Sequence, residues 1–207
     1  MKTVAIVANG QINSPEILRP LILSHDSVVA VDGGLKHCHK MNITPNLIIG
    51  DFDSCPQEIL QLYRSIPKLT LHTEKDETDL EVAIKGEEGK ISLFGAWGNR
   101  IDHSIGNLIL LTRWPGKVSI ETETESIFAI DTSVKIKCYK DQILSLIPIN
   151  GPVTGIYTRG LKWELRNATM DLNFIGISNV CLSNEVEISA KSGSLVCCLN
   201  KFMEESL

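Results

Sequence analysis

The sequence predicts a two-part chain, an α/β region on a mainly parallel sheet with flanking helices followed by an all-β region. Three observations lead there. From Thr3 to Glu121 one pattern recurs: a short β-branched run, a turn rich in Gly, Asp, Asn or Pro, then a stretch with helical spacing, which is the signature of βαβ units. Several of the apolar runs lack polar alternation, as strands buried on both faces do in parallel sheets. After about Glu121 the helical periodicity disappears and brief strand-like runs alternate with turns.

Taken in order, the expected strands of the first part are 3–8, 27–31, 46–49, 68–72, 90–94 and 117–121, and the expected helices are 15–24, 35–41, 56–64, 79–85 and 102–113. Two of the helices open on capping-box pairs, Ser54 with Gln57 and Thr78 with Glu81, in which a hydroxyl accepts from an N–H that the first turn leaves unpaired. In the second part strands are expected at 126–130, 134–138, 142–147, 185–189 and 195–199, and Ile149 to Gly155 reads as a turn cluster. The division is set at 1–121 and 122–207, with no Pro/Gly linker at the join.

Composition removes several classes of function. With 43% hydrophobic and 22% charged residues among 207, the chain has the make-up of a folded globular protein rather than of a disordered or fibrous one. Twenty Lys and Arg against 25 Asp and Glu give a net charge of -5. No basic block is present to release counterions from DNA or RNA, so no nucleic-acid partner is expected. No apolar run approaches the ~20 residues of a membrane helix. The opening Met1 to Ala8 is too short in its apolar part for a secretion signal, and Asn9-Gly10 follow at once. Six cysteines without a CxxC pair read as reduced thiols, which points to the cytoplasm.

In open α/β sheets ligands bind beyond the carboxyl ends of the strands, and acidic residues fall there four times. Asp32-Gly33-Gly34 follows the second strand and Gly50-Asp51-Phe52-Asp53-Ser54 the third; Asp76-Glu77-Thr78-Asp79 follows the fourth and Gly95 to His103 the fifth. Converging carboxylates repel one another and lose solvation, so they call for a cation, and oxygen donors favour hard Mg²⁺ or Ca²⁺ over zinc. Neighbouring glycines let backbone N–H groups approach phosphate oxygens, and Arg100 offers a planar fork for the same oxygens. Each piece also has a purely structural reading. Ser54 and Thr78 serve as helix caps, while Asp53 and Asp79 favour helix starts. Asp32-Gly33-Gly34 is a turn, Arg100 pairs with Asp102, and His103 is a hydrogen-bonded helix residue. The separate structural readings do not account for the recurrence at successive strand ends.

In their order these segments resemble the thiamine pyrophosphokinase family, whose pattern is Asp-Gly-Gly, Gly-Asp-x-Asp-Ser, Lys-Asp-x-Thr-Asp and Gly-x-x-Gly-Gly-Arg-x-Asp-His; here they read 32–34, 50–54, 75–79 and 95–103. Asn99 stands where the second of the paired glycines is usual, and Leu35-Lys36 replace the common Ala-Asn. Gly160-Leu161-Lys162-Trp163-Glu164-Leu165 and Ser183-Asn184-Glu185 look like the family's two C-terminal motifs.

The resemblance implies a Rossmann-like catalytic domain that binds ATP and Mg²⁺, followed by a thiamine-binding β-sandwich, and transfer of diphosphate from ATP to the thiamine hydroxyl with release of AMP. On this reading Asp51, Asp53 and Asp79 hold Mg²⁺. Asp32, Gly33, Gly34, Asp76, Thr78, Gly95, Gly98, Arg100 and His103 line the nucleotide and its phosphates. Asp102 lies near the attacking hydroxyl, either accepting its proton or orienting it. Trp163 stacks on thiamine, while Ser183 and Asn184 hydrogen-bond it. A symmetric homodimer with sites shared across its interface is implied as well. Two rivals are a haloacid-dehalogenase-type phosphatase using Asp51-Phe52-Asp53, and a catalytically silent nucleotide or thiamine sensor. The first would release inorganic phosphate instead of AMP, and the second would show no turnover.

Overall fold

A computed structural model describes residues 1–53, 55–72, 74 and 76–201. It is a mixed α/β chain with one large sheet and a separate four-stranded antiparallel sheet. The chain divides into two compact units, the first formed by Met1–Asn107 with Ile120–Glu123, the second by Leu108–Ser119 with the described residues from Thr124 onward.

The first unit alternates β1 (Thr3–Val7), α1 (Pro15–Leu23), β2 (Ser27–Val31), α2 (Gly34–Lys40), β3 (Leu47–Gly50), α3 (Gln57–Leu62), β4 (Lys68–Thr70), α4 (Asp79–Gly86) and β5 (Lys90–Phe94). Then follow α5 (Ile101–Leu111) and β6 (Val118–Glu121), which contribute residues to both units. Strands β5-β1-β2-β3-β4 lie side by side in that order, all parallel. The unalternated apolar runs of β1 and β2 are buried almost throughout, as expected for central strands covered on both faces. Each fully buried Val, Ile or Leu there contributes about 1.5–3 kcal/mol. The chain moves outward from β1 through β2, β3 and β4, then returns on the other side of β1 as β5. The loops leaving β1 and β5 are laced together by Gly10 N–H to Gly95 C=O (2.6 Å) and Gln11 N–H to Trp97 C=O (2.9 Å).

The helices follow their apolar spacing. In α4, Leu80, Ala83 and Ile84 are buried, and Thr78 caps the helix, its hydroxyl accepting the Glu81 N–H at 3.2 Å. The other expected capping pair is different. Helix α3 begins at Gln57 with Pro56 at the cap position and no side-chain cap bond, and Ser54 lies outside the described residues.

The second unit holds β7 (Glu125–Ile130), β8 (Ser133–Lys137), β9 (Ile143–Pro148), β10 (Val153–Arg159), β11 (Arg166–Met170), β12 (Gly176–Val180), β13 (Glu185–Ser189) and β14 (Leu195–Asn200). Antiparallel pairing orders them as β12-β9-β14-β7 and β11-β10-β13-β8. Leu144, Leu146 and Leu195 from the first group meet Ile136, Ile156, Val186 and Ile188 from the second in one core. Three of these strands, β10 to β12, are absent from the sequence expectation, and β10 begins inside the segment read as a turn cluster. Among the described residues, no helix is long and apolar enough to cross a membrane.

Candidate functional site

Three of the strand-end acids converge. Asp32 follows β2, Asp51 follows β3 and Asp79 opens α4, and one carboxylate oxygen from each lies within 4.8 Å of the others. The backbone is shaped for this approach. Asp32 adopts φ 47° and Phe52 φ 64°, a region that side-chain-bearing residues rarely enter, and Phe52 packs its ring on the core of the unit. Gly50 has φ 152°, and a Cβ built on it would stand 1.8 Å from Asp32 Oδ1. Any side chain at position 50 would therefore displace the carboxylate.

The electrostatics are those of an incomplete site. Asp32 Oδ1 is buried with no hydrogen-bond partner among the described residues. Burial pushes the Asp32 carboxyl up to about 8, helped by its hydrogen bond with Asp79 and by the negative charges of Asp79, Asp51 and Asp53. An orphaned carboxylate oxygen beside two others is the donor set a hard divalent cation takes, and such a cation would remove the repulsion that raises the pKa. The residues present therefore fit Mg²⁺. Asp32, which the sequence motif suggests as a phosphate neighbour, stands inside this group. Asp53 is exposed and joins through its backbone, donating its N–H to Asp51 Oδ1 at 3.1 Å.

The remaining nucleotide candidates occupy the same strand-end region of the unit. Gly33 sits at the α2 cap position, and Gly34 lies so close to β1 that a Cβ would be 1.9 Å from the Val7 carbonyl oxygen. Asp76 is exposed, Thr78 is engaged as a cap, and Lys75 lies outside the described residues. Gly95 and Gly98 follow β5, and Ser104 Oγ accepts the Gly98 N–H at 3.0 Å. Asn99 has φ 63°. Asparagine is among the few non-glycine residues that tolerate this conformation, so the departure from the family's glycine leaves the turn in place.

Arg100 and Asp102 form a second, exposed charged site. Arg100 donates from Nη2 to Asp102 Oδ2 at 2.6 Å and from Nε to Oδ1 at 3.2 Å. The Arg100 guanidinium, with the His103 N–H, holds the Asp102 carboxyl down to about 2. His103 is itself exposed.

In the second unit the two C-terminal motifs lie side by side. Leu182 N–H donates to Gly160 C=O at 2.8 Å and Lys162 N–H to Val180 C=O at 2.8 Å, which lays residues 160–163 along residues 179–182. Trp163 is 56% exposed, leaving its ring available, and Lys162 Nζ stands 4.7 Å from the ring centroid. An apolar cavity of about 170 Å³ opens beside it, lined by Leu146, Leu165, Met170, Phe174 and Asn179 among others. Ser183 and Asn184 are exposed in the turn before β13, with the Ser183 hydroxyl donating to Glu185 C=O at 2.7 Å. Sequence reasoning missed Gly50 as a packing requirement, Lys162 over the indole, and Asn179. Only Gly50 was signalled, by its place at the end of an apolar strand.

Comparison with known proteins bears on both units. The family model described as thiamin pyrophosphokinase, catalytic domain, matches residues 18–124, and that for the thiamin pyrophosphokinase vitamin B1 binding domain matches residues 130–195. Thiamine pyrophosphokinase of Bacillus subtilis is 31% identical over 203 residues, spanning 90% of this chain and 90% of that protein. Thiamine pyrophosphokinase 1 of Arabidopsis thaliana is 25% identical over 209 residues, spanning 92% of this chain and 75% of the relative. The crystal structure of thiamin pyrophosphokinase from Geobacillus thermodenitrificans has the same fold, with a TM-score of 0.83 at 24% identity, covering 98% of this chain and 99% of that one. With both domain models matched in chain order and the Bacillus relative aligned over nine-tenths of the length, the chain belongs to the thiamine pyrophosphokinase family.

Proposed function

We propose that the strand-end acids of the first unit and the Trp163 region of the second carry out the transfer of diphosphate from ATP to the thiamine hydroxyl, with AMP leaving. Membership in the family makes this chain a thiamine pyrophosphokinase. Neither the phosphatase nor the sensor reading finds support in the comparisons. The observation that carries the site assignment is the convergence of Asp32, Asp51 and Asp79 around an unpartnered buried oxygen. Asp32, Asp51 and Asp79 would hold Mg²⁺, with Asp53 beside them acting directly or through water. The bound cation would neutralise triphosphate charge and so lower the cost of bringing an alcohol oxygen to the β-phosphorus.

The chain's own residues supply positioning. Gly33, Gly34, Gly95 and Gly98 let backbone approach the nucleotide phosphates, with Asp76, Thr78 and His103 beside them. Arg100 uses two of its five N–H groups on Asp102, which leaves others for phosphate oxygens as charge grows in the transition state. A carboxylate held near 2 is a poor proton acceptor. Asp102 therefore suits orienting the attacking hydroxyl and fixing Arg100 better than taking a proton. Trp163 presents an aromatic face to the cationic thiazolium, a stacking worth about 0.5–2 kcal/mol, while Ser183 and Asn184 offer hydrogen bonds to the aminopyrimidine.

At the level of domains, residues 1–121 form the Rossmann-like ATP- and Mg²⁺-binding part and 122–207 the thiamine-binding β-sandwich. The parallel order around β1 and the shared core of the two antiparallel groups support these descriptions. The enzyme works as a homodimer with shared sites, an inference resting on the family resemblance, and its six free thiols suit the cytoplasm. The test is purified protein with ATP, Mg²⁺ and thiamine, following AMP and thiamine diphosphate together, with and without EDTA. Equal, metal-dependent amounts of both are expected. ADP or inorganic phosphate in their place would overturn the reaction assignment.

A further inference from the structure

The side chain of Asn179 makes three hydrogen bonds, and two of them hold one other residue. Its Oδ1 accepts the Trp163 N–H at 3.1 Å, its Nδ2 donates to the Trp163 C=O at 2.8 Å, and the same Oδ1 accepts the Val180 N–H at 2.9 Å. A single amide thus takes both backbone groups of Trp163, as a neighbouring strand would. The placement is built into β12. Its pairing with β9 shifts register between Gly176 and Asn179, and Ser178 within the shift has φ 57°. A bulge of this kind turns a side chain away from the regular alternation, and here it aims Asn179 at the 160–163 segment. Ser178 is pinned in turn by its N–H donating to Ser145 Oγ at 3.0 Å.

The indole itself has few restraints. Trp163 is 56% exposed, Lys162 covers one face of the ring, and the cavity beside it is also lined by Asn179. A ring that stacks on a ligand from an exposed segment loses affinity if its backbone wanders, because ordering it must then be done at binding. We propose that Asn179 is a positioning residue for thiamine recognition, setting the Trp163 backbone so that the indole face not covered by Lys162 is presented to the ligand. The inference rests on the reading of Trp163 as a thiamine contact. Asn179 needs no contact with substrate to act this way.

The experiment is a double-mutant cycle in the full-length enzyme. Asn179→Leu, Asn179→Ser, Trp163→Ala and the combination of Asn179→Leu with Trp163→Ala are assayed for thiamine KM, ATP KM and kcat. Asn179→Leu is expected to raise the thiamine KM about tenfold while ATP KM and kcat at saturating thiamine change by less than about twofold, the pattern of lost ground-state binding. Asn179→Ser, which keeps a small donor and acceptor, gives a smaller rise and secures the test if the leucine variant folds poorly. In the Trp163→Ala background the Asn179 change should add less than about twofold, because residues acting through one another are not additive. Independent multiplication of the two effects, or an unchanged thiamine KM in both Asn179 variants, overturns the positioning role while leaving Trp163 as a contact. An unchanged thiamine KM in Trp163→Ala overturns the placement of thiamine at Trp163, and the role of Asn179 falls with it.

Discussion

The first unit contains two carboxylate sites made from the same residue type and held in opposite states. Around Asp32 three acids are gathered, half-buried, with an oxygen that no described residue satisfies and a carboxyl raised to about 8. Around Asp102 one acid is exposed, gripped by Nε and Nη2 of Arg100 and held at about 2. The first arrangement is unfavourable as it stands and would be relieved by a cation, whereas the second is already paired. Charge on a side chain is thus a property of its surroundings, and the site that lacks something is the one that marks where a ligand goes.

The largest effect should come from breaking the unfinished site. Asp79→Asn keeps shape and removes one cation donor, so turnover measured by AMP release should fall by about 10²–10³-fold or more, with thiamine affinity by calorimetry nearly unchanged. Gly50→Ala attacks the same site through packing. Its added carbon would meet Asp32 Oδ1, and strain of this kind costs about 1–3 kcal/mol. A lower denaturation midpoint together with weakened Mg²⁺ dependence is expected, and wild-type values in both would show that the carboxylate has room to move.

A pH series sharpens the contrast. In metal-free protein the raised Asp32 carboxyl binds its proton more tightly in the folded state than in the unfolded chain. Its contribution to stability is therefore full below pH about 4 and lost as pH rises toward about 8. The lowered Asp102 works in the other direction, its contribution being present above pH about 4 and lost as pH falls toward about 2. Thermal melts in EDTA should show Asp32→Asn flattening the fall between pH 4 and 8. A parallel shift of the whole curve would contradict the assignment. The smallest effect belongs to the paired site, where Asp102→Asn should lower the melting temperature at pH 7 only slightly, because solvent screens an exposed ion pair down to a small contribution.

The sequence makes the first unit readable because its signals are local. Continuous β-branched runs give β1 and β2, the Thr78–Glu81 pair gives the start of α4, and each acid sits one turn after a strand. What it cannot give is which acids meet. Asp32, Asp51 and Asp79 converge because β2, β3 and β4 are neighbours in parallel, a fact of pairing rather than of spacing, and this brings Asp32 into the carboxylate group while Asp53 turns outward to solvent. The second unit hides three strands for a common reason. Gly155 in β10, Asn167 in β11 and Ser178 in β12 have φ of 64°, 53° and 57°, and the pairing of β10 with β11 and of β12 with β9 shifts register. Each bulge interrupts the period-two alternation by which strands are recognised. The same irregularity that conceals β12 places Asn179 against Trp163, so the least legible strand carries the least expected contact.

Gly50 has a consequence on the scale of lineages. Every single-nucleotide change that replaces a glycine adds at least a β-carbon, and at position 50 that carbon falls on Asp32 Oδ1. No one-step substitution leads out of this residue without disturbing the acid beside it. Position 99, exposed and with φ 63°, carries an asparagine. At position 50 the backbone, with φ 152°, and the carboxylate beside it both stand against a side chain, whereas φ 63° at position 99 is a conformation that asparagine tolerates.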